Sequence, residues 1–383
     1  MVHKKFVVSA MMAALIVFAL AACGSGTGGG GNGAGGSVPA VVKTDLAAAI
    51  EGTATSPDPA GPTVPGKKIT AIVYGAGVEA SQSYLDGLKA ATAIAGWKLT
   101  VIDGKFSTDT WLNGVREAIA RGADGIALYV IDCPTIKAGA QEAKAAHIPL
   151  IYVEGYDCSS IDHSEPSTGY DVGLYNLFSK TEFGTFQDYM KAVGRLQADA
   201  AIDHFNGKMN AVAIDPQESY SAVDIYKGFT AQVKACSGCK SVKLPMLYSE
   251  FGPALQDKVA QALVRDPAAN TVMGNYDDIV LNGASAGTRT AGRPIYVTGQ
   301  AGYGSMIDLI RQGRASMTIG SDIAMEGWAT VERLNRLFQG NEEPPHVGTG
   351  LTLIDPAHNM PPKGEGFTSP FGYAKVYADA WKS

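Results

Sequence analysis

Short apolar runs alternate with amphipathic stretches along most of this chain. ITAIVY, KLTVID, DGIALYVID and IPLIYVEGYDC are apolar runs of strand length. Between them lie SYLDGLKAATAIAGW, WLNGVREAIARG and TIKAGAQEAKAA, whose apolar positions recur at helical spacing. Strands alternating with helices of about a dozen residues predict βαβ units and therefore a parallel sheet. Right-handed crossovers bring the carboxyl ends of all such strands to one edge, where open α/β sheets bind small ligands. In this half that edge carries Tyr74, Glu79, Asp103, Asp132, Glu154 and Asp157.

The alternation resumes at LYNLF and continues through MNAVAID, SVKLPMLY, NTVMG, RPIYVTG and ASMTIG, with helical stretches between them. The expected fold class is therefore α/β, with two doubly wound, Rossmann-like lobes. The second lobe's edge offers Asp215, Tyr220, Asn275, Asp277 and Gln300, with Ser321 where the chain recrosses. Pro245 cannot donate to a ladder, so SVKLPMLY is expected at a sheet edge or bulged. VGTGLTLID reads as a last strand, and the Pro- and Gly-rich tail from Pro361 is expected to pack over the surface. Trp111 and Trp328 fall on helices near the same edge, where an aromatic at helical spacing reads as core.

At 383 residues and 46% hydrophobic, the chain is long enough for about two domains and can bury a sizeable core. A net charge of −6 gives no basic footprint for nucleic acid. Lys4 and Lys5 precede an apolar stretch of signal-peptide length that ends in Leu20-Ala21-Ala22-Cys23. This ending resembles the lipobox of bacterial lipoproteins, which implies cleavage before Cys23 and a lipid on its thiol. Residues 1–22 are thus expected as signal peptide and residues 23–66 as a lipidated flexible tether. That tether is Gly-rich and then Pro-rich, with a possible short helix at 44–50, and the folded body is expected from Lys67.

Export implies an oxidising compartment for the remaining cysteines. Cys133 and Cys158 each lie just beyond a strand end, and neighbouring strand ends can satisfy the short Cα separation of a disulfide. Cys236 and Cys239 sit in a helix-to-strand turn. A redox pair belongs after a strand at a helix start, and zinc lacks a second ligand pair, so a structural staple is expected. The six histidines form no metal-ligand spacing, and neither a metal nor a cofactor is called for.

Between residues 67 and 355 the chain resembles the type I periplasmic binding proteins, the ribose-binding and LacI-like family. The passages that carry this are ARGADGIALYVID, EAKAAHIPLIYVEGYD, AVGRLQADAAIDHF, YKGFTAQV, NTVMGNYDDIVLNGA, IYVTGQAG and LIRQGRASMTIGSD. The resemblance implies two lobes joined by three crossing segments, near residues 170–178, 299–319 and 340–347. One lobe would hold residues 67–172 plus 320–345, and the other residues 173–319 plus 346–383. It further implies a non-enzymatic solute receptor of an ABC importer, closing on a small polar ligand and delivering it to a membrane permease. With the lipobox, the location implied is the outer face of a bacterial cytoplasmic membrane, as a lipid-anchored monomer. A sugar or polyol would suit the strand-end residues: carboxylates and amides bond its hydroxyls, and aromatic rings pack on its C–H faces. Asp277 matches the family's ligand aspartate. The ribose-type arginine after VEGYD is missing and QAG replaces Phe-Asp-Gly, so pentose specificity does not transfer. For each of these carboxylates the competing role is helix capping at a βα turn.

Two motifs point to other chemistries. Gly75, Gly77 and Ala80 after a strand, with Asp103 on the next, match a dinucleotide fingerprint, which would make the lobe an NAD-dependent oxidoreductase. An exported protein lacks a nicotinamide pool, and the leader has no twin arginine. Gly283-Ala284-Ser285-Ala286-Gly287 matches a nucleophile elbow, with Asp355 and His358 downstream, but Asp277 to Asn282 already fit helical turns that would bury Ser285. A sensory receptor of the same fold is a further alternative.

Overall fold

The computed structural model describes residues 38–180 and 182–382. The signal-like leader, Cys23 and the Gly-rich stretch after it lie outside the described residues. The first sheet has the order β2-β1-β3-β4-β5 and is parallel throughout. Its strands are β1 (Lys68–Val73), β2 (Lys98–Asp103), β3 (Gly125–Tyr129), β4 (Leu150–Val153) and β5 (Tyr170–Asp171). Helices α2 (Glu79–Ala95), α3 (Thr108–Ala120), α4 (Cys133–Ala145) and α5 (Cys158–Ile161) connect them. β1, β3 and β4 are buried almost end to end, as central strands covered by helices on both faces must be.

A short hairpin, β6 (Tyr175–Asn176) with β7 (Phe183–Gly184), leads into α6 (Phe186–His204) and the second sheet, ordered β13-β12-β11-β10-β8-β9. Its elements are β8 (Asn210–Pro216), α7 (Tyr220–Ala235), β9 (Lys240–Met246), α8 (Pro253–Arg265), β10 (Thr271–Met273), α9 (Asp277–Ile279), α10 (Ser285–Thr288), β11 (Tyr296–Ala301), α11 (Gly304–Arg311) and β12 (Met317–Gly320). After β12 come α12 (Ile323–Phe338), β13 (Thr352–Ile354) and α13 (Tyr373–Lys382). β9, which holds Pro245, is an edge strand, and β13 closes the other edge antiparallel to β12. Two cystines form: Cys133 with Cys158, Cα atoms 5.0 Å apart, and Cys236 with Cys239, 5.3 Å apart.

Close helix contacts hold each lobe. A Cβ on Gly87 of α2 would lie 1.9 Å from the Ala324 carbonyl oxygen, and one on Gly194 of α6 would lie 1.9 Å from the Ile225 oxygen. The chain crosses between the sheets after β5, at Ser321 and Asp322, and between α12 and β13. The middle crossing falls later than the expected 299–319 because β11, α11 and β12 all belong to the second sheet.

The termini depart further from expectation. The folded body begins upstream of Lys67: α1 (Ala40–Glu51) buries Val42, Leu46 and Ala49 and packs on α6 and β13. Residues 52–66, expected as tether, then run beside the crossing strands. Thr53 N–H donates to the Leu351 oxygen at 3.2 Å and Thr55 N–H to the Gly348 oxygen at 2.9 Å. Further on, Ala60 N–H donates to Glu332 Oε1 at 2.7 Å and Val64 N–H to Asn335 Oδ1 at 2.9 Å, both on α12. At the other end, α13 packs on α2 and α12 in the first lobe, although residues 346–383 were expected in the second. Trp328 stacks with Tyr377 and Trp381, and Trp381 Nε1 donates to Glu332 Oε2 at 2.8 Å. Among the described residues no helix is long and apolar enough to cross a membrane.

Candidate ligand cleft

The carboxyl ends of the two sheets face each other, and the backbone there is unusual. Val130 and Glu154, just past β3 and β4, take φ of +55° and +52°, and Asn275 past β10 takes +65°. Positive φ is costly for non-glycine residues, a β-branched valine above all, and such strain gathers at binding sites. The first two of these turns place Val130 and Glu154 at a void of about 20 Å³ between the lobes, room for about one water molecule. From the first lobe Tyr74, Ala80, Val130 and Glu154 line it; from the second, Tyr248, Phe251, Tyr276, Asp278, Ile279 and Tyr303. Tyr74 packs edge-on against Phe106, centroids 5.2 Å apart, and this ring covers Gly75.

Direct bonds latch the lobes. Tyr74 Oη donates to Asp278 Oδ2 at 3.2 Å, Tyr156 Oη to Asp224 Oδ2 at 2.9 Å, and Tyr220 N–H to Asp132 Oδ2 at 3.1 Å. Ser305 Oγ bonds Glu79 at the rim. Glu154 Oε2 accepts from Tyr129 Oη at 3.3 Å, whereas its buried Oε1 has no partner. Burial pushes Glu154 and Asp278 up to about 7 and Asp132 to about 6; neighbouring acids add to each shift. Behind Glu154, Glu326 is fully buried with both carboxylate oxygens unpartnered, and burial and the Glu154 charge hold it well above the carboxylate range.

Of the residues expected at this edge, the structure brings Tyr74 and Glu154 to the void. Glu79 and Ser321 line an outer groove of about 310 Å³ between α2 and the start of α11, and Gln300 Nε2 donates to Ser321 Oγ at 2.7 Å. Asp132 serves the interlobe latch and also accepts from Tyr156 N–H at 2.8 Å. Tyr220 supplies its N–H to that latch and is itself an exposed residue. The others are engaged elsewhere. Asp103 is exposed and accepts from the Ala76 and Lys105 N–H groups at 2.9 and 3.0 Å, which is turn capping. Asp157 caps α5 and accepts from Thr168 N–H at 2.9 Å. Burial alone would raise its carboxyl, but the Ser159 and Thr168 hydrogen bonds bring it below its ordinary value. Asp215 pairs with Lys243 and Gln217.

Asn275 Nδ2 donates to the Ala222 oxygen at 3.0 Å. Asp277 turns inward, accepting from Thr318 Oγ1 at 2.8 Å and from the Gly302 and Tyr303 N–H groups at 2.6 and 3.2 Å. Its neighbour Asp278 takes the cleft position instead. Asp278, at the same strand end as Asn275 and Asp277, lines the void along with Tyr248, Phe251, Tyr276 and Tyr303, none of them among the expected ligand residues. The available signal was aromatic residues in the loops directly after β9, β10 and β11.

The rival motifs find other uses. Asp103 fills the turn of the glycine fingerprint. Ser285 is buried at the start of α10, beyond a π-helical turn at Val280–Ala284, and donates to the Arg314 oxygen at 3.1 Å. His358 Nδ1 lies 3.0 Å from Asp355 Oδ1. Trp111 Nε1 donates to the Tyr74 oxygen at 3.2 Å, and Trp328 belongs to the α12–α13 core. A surface groove of about 890 Å³ around Lys67, His147 and Gly169 lies at the amino-terminal edge of the first sheet, away from the strand ends that converge.

Comparison with known proteins agrees with this geometry. The periplasmic binding protein domain family matches residues 71–342. The D-galactose/methyl-galactoside binding periplasmic protein MglB of Haemophilus influenzae is 21% identical over 278 residues, 71% of this chain and 81% of that protein. An ABC transporter solute binding protein from Mycobacterium smegmatis, solved with bound glycerol, superposes with a TM-score of 0.65 at 20% identity, covering 79% of this chain and 100% of that one. GanP, a glucose-galactose binding protein from Geobacillus stearothermophilus, gives 0.64 at 16% identity, over 76% and 97%. With two α/β lobes meeting at the carboxyl edges of their sheets and a family match over most of its length, this chain belongs to the type I periplasmic binding proteins.

Proposed function

We propose that this protein is the solute receptor of an ABC importer, held at the outer face of a bacterial cytoplasmic membrane by a lipid on Cys23. It binds a small polar ligand, a sugar or polyol, between its lobes and presents the closed form to a permease. The observation that carries this reading is the void built from strand ends of both lobes, walled by tyrosines and two carboxylates. At about 20 Å³ the closed void is smaller than a monosaccharide, so the ligand enters an opened cleft and replaces the Tyr74–Asp278 contact with contacts of its own. A ligand stabilises closure only by binding the closed form better than the open one. Tyr74, Glu154 and Asp278 are the proposed gripping residues, with Glu79 and Ser321 at the entrance.

A thermal-shift screen over monosaccharides, polyols, nucleosides and amino acids tests this, since a ligand of the native state raises the melting point by mass action. A rise with a sugar or polyol, accompanied by a smaller radius of gyration in solution scattering, is the expected outcome. A response confined to nucleosides or amino acids overturns the ligand class. For the anchor, Cys23→Ala is expected to move the protein from the membrane fraction to the soluble one.

A further inference from the structure

We propose that the cleft selects a ligand carrying a protonated amine, an amino sugar or amino polyol in preference to its neutral hydroxyl counterpart. This deepens the solute-receptor reading and rests on it. Glu154 and Asp278 face one void from opposite lobes, 5% and 7% exposed, and Glu154 Oε1 has no partner. Among the described residues no lysine, arginine or histidine lines that void, and no asparagine or glutamine does either. The wall is therefore rich in acceptors and poor in donors: tyrosine hydroxyls are its only side-chain donors when both carboxyls are ionised. A sugar hydroxyl has one donor and two acceptor lone pairs, whereas an ammonium has three donors and no acceptor.

Charge points the same way. The ionisable groups that act on Glu154 are Asp278, Glu326 and the tyrosines at 74, 129, 175, 189, 276 and 303, and those that act on Asp278 are Glu79, Glu154, Asp277, Tyr74, Tyr248 and Tyr303. All are acids. On the second lobe Lys227, Lys243 and Lys258 pair with Asp224, Asp215 and Glu250. Buried carboxylates without a counter-ion are costly, and in this void protons near neutral pH relieve the cost. A ligand ammonium supplies the missing charge through charge-assisted hydrogen bonds, and the tyrosine and phenylalanine faces attract a cation. Binding it favours the ionised carboxylates over their protonated forms, so it expels protons and tightens as pH rises through about 7.

The test is titration calorimetry of the mature protein with matched pairs: glucosamine against glucose, galactosamine against galactose, and 2-amino-1,3-propanediol against glycerol. At pH 7.5 at least one amine is expected to bind roughly tenfold or more tighter than its hydroxyl partner, equivalent to about 1.4 kcal/mol. That preference should shrink about tenfold at pH 5.5, and the measured heat should vary with buffer ionisation enthalpy, which reports proton release. Glu154→Gln and Asp278→Asn should each abolish the preference while keeping a cooperative melt. If Asp278→Asn fails to fold, the pH and buffer dependence of the native protein decide alone. A hydroxyl member binding as tightly as its amine overturns this inference and leaves the solute-receptor reading intact. Silence from every pair also overturns it, and silence across the thermal-shift screen as well overturns both.

Discussion

At the scale of single residues, the cleft depends on a few hydrogen bonds that exist only when the lobes meet. The Tyr156 hydroxyl reaches Asp224 across the gap at 2.9 Å, while Asp224 keeps Lys227 at 2.9 Å whether or not the tyrosine is present. Removing the hydroxyl thus costs the charged hydrogen bond without orphaning the acid, about 1.5 kcal/mol. Tyr156→Phe is expected to weaken ligand binding about tenfold while leaving the melting point of the first lobe's core unchanged, as read by calorimetry. An unchanged affinity would mean that this latch does not contribute to closure. Asp277 and Asp278 show why single positions matter: adjacent on one short helix, one carboxylate ties β12 and the β11 loop together, and the other faces the void.

At the scale of elements, both lobes rely on glycines where helices cross. The α2–α12 contact places the Ala324 carbonyl so close to Gly87 that any side chain must push the helices apart. Gly87→Ala is expected to destabilise by about 3 kcal/mol, the upper end for overpacking, as measured by denaturant unfolding. Gly77→Ala is the control: its added methyl meets nothing within 4 Å, so stability should stay within about 0.5 kcal/mol. The termini act at this scale too. α1 packs on the second lobe while residues 58–64 follow α12 in the first, and α13 adds Tyr377 and Trp381 to the face of α12 that holds Trp328. Glu332 joins both additions, accepting from Ala60 on one side and Trp381 on the other.

At the scale of the whole molecule, buried acids make stability depend on pH. Burial raises Asp132 and Asp171 to about 6 and Glu154, Asp199, Asp277 and Asp278 to about 7. A carboxyl whose folded value exceeds its unfolded value stabilises fully below the unfolded value, and that contribution is lost as pH rises through the folded one. Asp157 works in the opposite sense, its contribution being lost as pH falls below about 4. The ligand-free melting point is therefore expected to peak near pH 5 and fall toward pH 8, measured by calorimetry. A peak at pH 8 would contradict the burial of these groups. Opening the cleft hydrates Glu154 and Asp278, so acid should also favour the closed form, seen as a smaller radius of gyration at pH 5 than at pH 8.

Local pattern alone was enough to read the alternation of strand and helix, two mainly parallel sheets and the edge position of β9 at Pro245. These follow from local periodicity and from chirality, which act within a few dozen residues. Which acids line the void depends on contacts between distant parts of the chain. Side-chain direction at a strand end is set by the turn that follows, as at Val130 and Glu154 with their positive φ, and neighbouring helix positions such as Asp277 and Asp278 point about 100° apart. Nor could local pattern place α1, α13 or the Pro-rich residues 52–66. Their partners lie far off in the chain, from about fifty residues for α13 on α12 to more than 270 for Ala60 and Val64 on α12, and only packing brings them together.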